Sequence, residues 1–243
     1  MTDMRNIVIL TGAGISAESG IDTFRDAGGL WEQHRVEDVA TPEGFARDPD
    51  LVLRFYDMRR EAIQTKQPNP AHEALARLDR DWDGELLIVT QNVDDLHERA
   101  GSRDVLHLHG SLHHPRCSRC AAPFELAPAP PVEATEGRRL APPRCLQCGG
   151  AVRPGIVWFG ESLPVAALET AFAAAADCDL LLSVGTSGVV YPAAQVPEIA
   201  LHNGATVVHV NPDPQALGGT DEWLLAGAAG EILPALLQAA FQD

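Results

Sequence analysis

Four cysteines form the clearest chemical pattern in this 243-residue chain. They occur as two Cys-x-x-Cys pairs, Cys117 with Cys120 and Cys145 with Cys148. Each pair can supply two thiolates from one turn, and four thiolates suit the tetrahedral coordination of Zn²⁺. The intervening segment, residues 123–143, is rich in proline and alanine and has little periodicity, so it cannot build a core of its own. We therefore predict one structural Zn²⁺ with no open position for a catalytic water; reduced cysteines without a metal are the alternative.

Two histidines could perform acid–base chemistry. His107 and His109 alternate with Leu106 and Leu108, which predicts that both imidazoles face one side of a short strand. An imidazole titrates near neutral pH and therefore suits a general base. Either histidine could instead be a hydrogen-bonded structural residue, and the alternation does not choose between them.

A tyrosine and an arginine could bind a carboxylate. Tyr56 and Arg59 lie three positions apart in a helical stretch, so they share one helical face. An arginine donates a two-pronged hydrogen bond to a carboxylate, and a phenol can add a third. The spacing alone favours the alternative, a solvated arginine beside a half-buried tyrosine.

Small residues follow the first apolar run of the chain. The run, residues 7–10, predicts a buried strand, and Gly12-x-Gly14-x-x-Ala17 then leads into a helical-looking segment at 15–20. This pattern allows a pyrophosphate to approach backbone N–H groups at a helix N-terminus. It is also typical of a plain tight turn. The polar, glycine-bearing segment 23–31 comes next, where we expect a flap over a ligand.

The elements that must position these residues alternate along the chain. Four apolar runs, at 7–10, 85–90, 179–184 and 206–210, read as buried strands separated by helices. Small or polar residues follow each strand, and open parallel sheets bind ligands at that edge. These residues are Thr11 to Gly14, Gln91 and Asn92, Gly185 to Ser187, and Asn211 to Asp213.

This pattern predicts an α/β fold. We expect a Rossmann-like open parallel sheet with helices on both faces, plus a smaller inserted zinc-ribbon and helical domain. The predicted boundaries assign residues 1–32, 71–112 and 156–243 to a discontinuous, Rossmann-like dinucleotide-binding domain. The small domain would combine a helical insertion at 33–70 with a zinc module at 113–155.

Composition narrows the possible partners. The chain has 18 lysines and arginines against 34 aspartates and glutamates, a formal net charge of −16, and 45% hydrophobic residues. Such a balance argues against nucleic-acid binding, which needs clustered basic residues. An acidic surface suits lysine-rich protein partners, and it is also a common route to solubility. No apolar run is long enough to cross a membrane, and we expect a cytoplasmic monomer.

Taken together, these residues resemble the sirtuins, a family of NAD-dependent protein lysine deacylases. The similarity runs from about Arg5 to Leu237 and is greatest to the compact bacterial branch of the family. That branch and the mitochondrial desuccinylase type both carry a Tyr-x-x-Arg pair, which is present here as Tyr56 and Arg59. One departure is Asp22, where the family usually has proline. The motifs that carry the resemblance are GAGISAESGI, TFRDAGGLW, TQNVDDLHERAG, LHLHGSL, the paired Cys-x-x-Cys, RPGIVWFGE, SVGTS, VVHVNPD and the terminal Gly-x-x-Gly.

The resemblance implies a role for each matching residue. His109 matches the general base and Asn92 the second catalytic residue. Tyr56 and Arg59 would bind the carboxylate of an acyl group. The substrate backbone would pair as an added strand with Phe159, Gly160 and Glu161. Val157 and Phe159 would flank the apolar stem of the acyl-lysine. NAD⁺ would be held by Gly12, Ala13, Gly14, Ala17, Phe24, Arg25, Trp31, Gln91, Asn92, Val93, Asp94, Gly185, Thr186, Ser187, Asn211, Pro212, Asp213 and Ala229.

The implied activity is NAD-dependent removal of succinyl or malonyl groups, and of acetyl groups, from protein lysines. Its products would be nicotinamide and O-acyl-ADP-ribose. Two alternatives stay open. A protein mono-ADP-ribosyltransferase would use the same NAD pocket. A non-enzymatic adaptor or nucleic-acid module could also carry paired zinc knuckles, although the acidic charge, His109 and Asn92 argue against it.

Overall fold

The structure is a computed structural model that describes residues 4–22, 30–31, 34–125, 141–213 and 221–241. The described residues form two compact units. The larger, the sheet unit, is drawn from Met1–Asp26, Lys66–His109 and Leu163–Asp243. The smaller, the small unit, is drawn from Ala27–Thr65 and Gly110–Ser162. Among the residues described, no helix combines the length and the apolar character needed to cross a bilayer.

Strands and helices alternate through most of the chain. In chain order the strands are β1 Asn6–Thr11, β2 Leu30–Trp31, β3 His34–Arg35, β4 Glu85–Thr90, β5 Val105–His107, β6 Gly110–Cys117, β7 Val152–Ile156, β8 Leu180–Val184, β9 Thr206–Val210 and β10 Trp223–Leu225. The helices are α1 Val36–Val39, α2 Pro42–Arg47, α3 Pro49–Gln64, α4 Pro70–Asp81, α5 Leu96–Ala100, α6 Val165–Asp177, α7 Gln195–His202 and α8 Ala229–Phe241.

The sheet unit is built on a parallel sheet of six strands in the order β10-β9-β8-β1-β4-β5. Every pairing along this order is parallel. The predicted parallel α/β sheet is therefore confirmed. The edge strand β10 was not predicted, because a strand of only three residues is too short to show a periodic pattern.

Burial on both faces explains the continuous apolar run of β1. Ile7 and Ile9 point into one core, together with residues of α4 and α8. Val8 and Leu10 point into the other, together with residues of α6 and α7. Successive side chains of a strand point to opposite faces, so a central strand covered on both sides must be apolar throughout. The prediction of helices on both faces is also confirmed.

Three helices begin with a capping side chain followed by proline. The pairs are Thr41–Pro42 before α2, Asp48–Pro49 before α3 and Asn69–Pro70 before α4. Asn69 Oδ1 accepts from the N–H of Ala71 at 3.0 Å. A proline at the first helical position costs no hydrogen bond, because that N–H has no partner within the helix.

The small unit contains α1 to α3 and two short antiparallel ladders, β2 with β3 and β6 with β7. Cys117 ends β6 and pairs with Val152 of β7. The sequence predicted an extended segment at 152–161 but did not predict β6. The histidine and proline residues within β6 interrupt the apolar alternation that marks a strand.

Candidate functional site

The loops after β1 and β8 pack directly against each other. The N–H of Gly12 donates to Val184 O, and the N–H of Gly14 donates to Gly185 O, both at 3.0 Å. A Cβ built on Gly14 would lie 2.7 Å from Gly185 Cα, and Gly185 itself has a φ of +61°. Glycine is therefore required at these positions by loop-to-loop packing. Two of the predicted cofactor-binding segments meet at this contact.

The segment 15–20 is not the helix that the sequence predicted. It forms two separate 3₁₀ turns, Ala13–Ile15 and Ala17–Ser19. Asn69 Nδ2 donates to Ile15 O at 2.7 Å, and that carbonyl would accept from Ser19 N in an α-helix. Since no α-helix begins here, the argument from a helix dipole does not apply to this turn. Anion binding would depend on local backbone N–H groups instead.

A buried serine connects two of the predicted site residues. Asn92 Nδ2 donates to Ser16 Oγ at 3.1 Å, and Ser16 Oγ donates to Asp94 Oδ2 at 3.2 Å. All three side chains are buried, and burial raises the pKa of the Asp94 carboxyl. No role had been assigned to Ser16 from the sequence. The sequence signal that could have identified Ser16 is its hydroxyl group, because the other residues of the segment 12–17 are small or apolar.

His109 is arranged as a neutral base. Its Nδ1 lies 2.9 Å from Gln91 O. A carbonyl oxygen can only accept, so Nδ1 carries the proton in the neutral ring and the lone pair lies on Nε2. Burial lowers the pKa of His109 below its ordinary value, which favours the neutral form near neutral pH.

His107 has the opposite arrangement. Its Nδ1 lies 3.1 Å from Asn92 O, and its Nε2 lies 2.7 Å from a carboxylate oxygen of Glu98. Burial acts to lower the pKa of His107, but the hydrogen bond and charge of Glu98 outweigh burial and the pKa is raised. Both ring nitrogens therefore face acceptors. The geometry distinguishes His109 as the candidate base, a choice that the alternation of the sequence left open.

The predicted residues after β8 and β9 are also brought together. Asn211 Nδ2 donates to Thr186 O at 2.7 Å, and the N–H of Asp213 donates to Asn211 Oδ1 at 3.0 Å. Pro212 is exposed, whereas Val93, after β4, is half-buried. At the start of α8, next to Ala229, the N–H of Gly230 donates to a carboxylate oxygen of Glu18.

Tyr56 and Arg59 are both buried within the small unit, with exposed fractions of 0% and 6%. The guanidinium of Arg59 lies 5.9 Å from the centroid of the Phe55 ring. The alternative of a solvated arginine beside a half-buried tyrosine is therefore wrong. Tyr56 accepts a hydrogen bond from the indole N–H of Trp158 at 3.0 Å, a contact that no spacing argument could predict.

The segment from Val157 to Glu161 follows β7. Phe159 is 53% exposed, and Gly160 turns the chain with a φ of +83°. The N–H of Phe159 donates to Ala40 O, and the N–H of Glu161 donates to Trp158 O, both at 3.0 Å. These two donors are used within the protein, so an added substrate strand would have to pair with other backbone groups of the segment.

The four paired cysteines converge on one point. The sulfur atoms of Cys117, Cys120, Cys145 and Cys148 all lie within 4.8 Å of one another. Zn–S bonds of about 2.3 Å in a tetrahedron place sulfur atoms about 3.8 Å apart, so the cluster fits a structural Zn²⁺. A Cβ on Gly150 would lie 2.9 Å from Cys117 Sγ. Glycine at that position lets the chain turn closely around the cluster.

A protein-family model described as the Sir2 family matches residues 12–192, which is well over half of the chain. The chain belongs to the Sir2 family. An NAD-dependent protein deacylase 1 of Pseudomonas aeruginosa is 62% identical over 241 residues, covering 98% of this chain and 95% of that protein. An NAD-dependent protein deacylase of Methylococcus capsulatus is 56% identical over 240 residues, covering 98% of this chain and 94% of that protein.

Solved Sir2 structures resemble this chain in fold as well. A complex of a Sir2 homolog with NAD is 44% identical with a TM-score of 0.84, covering 98% of this chain and 90% of that chain. A Sir2 complex with a p53 peptide and NAD⁺ is 32% identical with a TM-score of 0.81, covering 99% and 95%. Of the cofactor-binding residues predicted for this Sir2 chain, Phe24, Arg25 and the side chain of Trp31 lie outside the described residues, as does most of the predicted flap.

Proposed function

We propose that this Sir2 chain is an NAD-dependent protein lysine deacylase. Membership of the family supports the proposal, as do the deacylase names of relatives that match almost the whole chain. The observation that carries it is the hydrogen bond from His109 to Gln91 O, which leaves Nε2 of a neutral imidazole as the base. The solved relatives in complex with NAD and with a peptide support the same two ligands here.

The proposed mechanism assigns one task to each group of residues. When bound, NAD supplies a ribose C1′ that the acyl oxygen of the substrate attacks as nicotinamide leaves. Asn92 and Asp94, connected through Ser16, orient the nicotinamide end. His109 would accept a proton at Nε2 from a ribose hydroxyl, whose oxygen would then bond to the carbon of the acyl group. Water would complete the release of the lysine amine, so that free lysine and O-acyl-ADP-ribose are the products. A Zn²⁺ held by the four cysteines would have a structural role, because four thiolates would fill its coordination.

We further propose a preference for succinyl- and malonyl-lysine, with acetyl-lysine also accepted. Tyr56 and Arg59 both offer hydrogen-bond donors, and a carboxylate offers only acceptors. Both side chains are buried, so an ionic hydrogen bond to them is less screened by water than one at the surface. An acetyl group has no carboxylate and would gain nothing from this pair.

The proposed partners are acyl-lysine proteins or peptides. The net charge of −16 supports lysine-rich partners and argues against nucleic acid. We also propose that the protein acts in the cytoplasm as a monomer and does not bind a membrane.

The test is nicotinamide release from NAD with one peptide in its succinyl-lysine and acetyl-lysine forms. We expect kcat/KM to be at least about tenfold higher for the succinyl form, because a hydrogen bond to a charged group contributes roughly 1.5–3 kcal/mol. Arg59→Met should lower this ratio by about tenfold or more. Arg54→Met is the matched control on the same helix, since the Arg54 side chain is 44% exposed and its guanidinium pairs with Asp50.

Three outcomes would contradict all or part of the proposal. Equal or better turnover of the acetyl peptide would refute the acyl preference while leaving deacylation intact. An adenine label that ends on protein instead of on a small acyl-ADP-ribose would support mono-ADP-ribosyl transfer. No nicotinamide release with any acyl peptide would refute the enzyme assignment altogether.

A further inference from the structure

Trp158 makes a contact that the proposed function does not yet use. Its side chain is 2% exposed, and its indole Nε1–H donates to the phenol oxygen of Tyr56 at 3.0 Å. The two residues are 102 positions apart in the sequence, and both lie in the small unit. The partner of the indole N–H is therefore one of the two residues assigned to the acyl carboxylate.

The chemistry of this hydrogen bond fixes the direction of the phenol. An indole N–H is a donor only, so the oxygen of Tyr56 must accept from it. The proton of the phenol must then point away from Trp158. Burial raises the pKa of Tyr56 far above its ordinary value, so the phenol keeps that proton throughout the usual pH range. Tyr56 is thus presented to other groups as a neutral hydrogen-bond donor.

Trp158 is itself held from several sides. The guanidinium carbon of Arg153 lies 3.2 Å from the centroid of the indole, and the Phe45 ring packs at 5.5 Å. Arg153 is paired with Glu161 through two hydrogen bonds of 2.5 and 2.9 Å. Glu161 also accepts from the backbone N–H of Trp158 at 2.8 Å. Both the indole plane and the backbone that carries it are fixed, so the N–H cannot readily turn away from Tyr56.

We propose that Trp158 is a positioning residue for acyl selectivity, whose indole N–H directs the hydroxyl proton of Tyr56 toward the distal carboxylate of the acyl group. This inference rests on the proposed preference for acidic acyl groups. An acetyl substrate has no acceptor to receive this proton, so the effect of Trp158 should be confined to substrates with a distal carboxylate.

The experiment is a double-mutant cycle on the full-length, zinc-loaded protein. Trp158→Phe removes the N–H donor but keeps an aromatic ring against Arg153, and Tyr56→Phe removes the hydroxyl group. We expect each single variant to lower the succinyl-to-acetyl ratio of kcat/KM by about tenfold, mainly through KM. The double variant should show no further fall, because Trp158 acts through the hydroxyl group that Tyr56→Phe has already removed.

A second tryptophan provides the matched control. Trp82 in the sheet unit also donates its indole N–H, to Arg5 O at 3.0 Å. Trp82→Phe should leave the succinyl-to-acetyl ratio unchanged, which separates the specific effect from the general loss of an indole hydrogen bond.

Three outcomes would overturn the inference. Equal losses on the two substrates in Trp158→Phe would make Trp158 merely structural, and so would losses that add to those of Tyr56→Phe. A wild-type protein without a succinyl preference would refute the proposed acyl specificity before any variant is tested, so that failure is distinguishable.

If Trp158→Phe does not fold, the NMR resonance of the Trp158 indole N–H in the wild type provides a second test. It should shift on binding a succinyl-lysine peptide and not an acetyl-lysine peptide, and an equal response to both would contradict the proposal.

Discussion

A pair of buried histidines should make this protein sensitive to mild acid. His72 on α4 and His97 on α5 are 0% and 2% exposed, and their ring centroids lie 5.0 Å apart. Burial lowers the pKa of His72 to about 4. The pKa of His97 is lowered to about 3, mainly by burial and then by the neighbouring charge of His72. Both folded-state values lie below that of an unfolded histidine. The contribution of these two neutral histidines to the unfolding free energy is therefore fully present above about pH 6.5. It is lost as the pH falls toward the folded-state pKa values.

The magnitude for His72 follows from its pKa. At about pH 4.5 the unfolded chain binds a proton at this residue and the folded chain mostly does not. With a pKa of 6.5 unfolded and about 4 folded, this difference costs about 2–3 kcal/mol of unfolding free energy. His72→Gln removes the titrating group. The variant should be less stable at neutral pH, because Nδ1 of His72 accepts from the N–H of Asn69 at 3.4 Å, but it should lose less stability on acidification.

Urea unfolding followed by tryptophan fluorescence measures the effect at about pH 7.5 and about pH 4.5. The loss between the two pH values should be smaller in His72→Gln than in the wild type by about 2–3 kcal/mol. Both proteins carry the same four cysteines of the zinc cluster, so acid effects on that site cancel in the difference. His202→Gln, at an exposed position ending α7, should behave as the wild type. Equal acid losses in the wild type and His72→Gln would refute the reasoning.

Three further predictions concern the base and the metal. His109→Gln should lower kcat by about 10²–10⁴-fold with little change in thermal stability, and a smaller loss would exclude its role as the base. Because burial lowers the pKa of His109, the acidic limb of kcat/KM in the wild type should lie below about pH 6.5; a limb above that value would point to another group. Cys145→Ser should reduce the bound zinc, measured by atomic absorption, from one to well below one ion per chain and lower the melting temperature. Full retention of zinc would mean that Cys145 is not a ligand.

Features set by neighbouring residues were predictable from the sequence, whereas long-range contacts were not. The run Ile7 to Leu10 marks a central strand because burial on both faces leaves no room for alternation. The Cys-x-x-Cys spacing suffices to predict a metal cluster, because each pair supplies its ligands from one turn. The segment 15–20 forms two 3₁₀ turns instead of the expected helix, and the Ile15 carbonyl accepts from Asn69, 54 positions away in the sequence.

The assignment of the base shows the same limit. His107 and His109 are equivalent in the alternation of the sequence. Only their partners distinguish them: Glu98 favours the charged form of His107, whereas His109 faces a single carbonyl and burial favours its neutral form. The phenol of Tyr56 likewise accepts from a tryptophan 102 positions further along the chain. Spacing identifies which residues can act, and tertiary contacts decide their protonation and orientation.

The central position of β1 has a consequence for the synthesis of the protein. β1 pairs with β4 on one side and with β8 on the other, and Asn6 Nδ2 donates to Asp177 O, 171 positions later. At about 5–20 residues per second, the ribosome needs roughly 5–20 seconds after completing β4 before β8 emerges. Throughout that interval β1 presents an unpaired, apolar edge, which is a template for aggregation. Maturation of the nascent chain should therefore depend strongly on chaperone supply and temperature, even if the finished protein is stable.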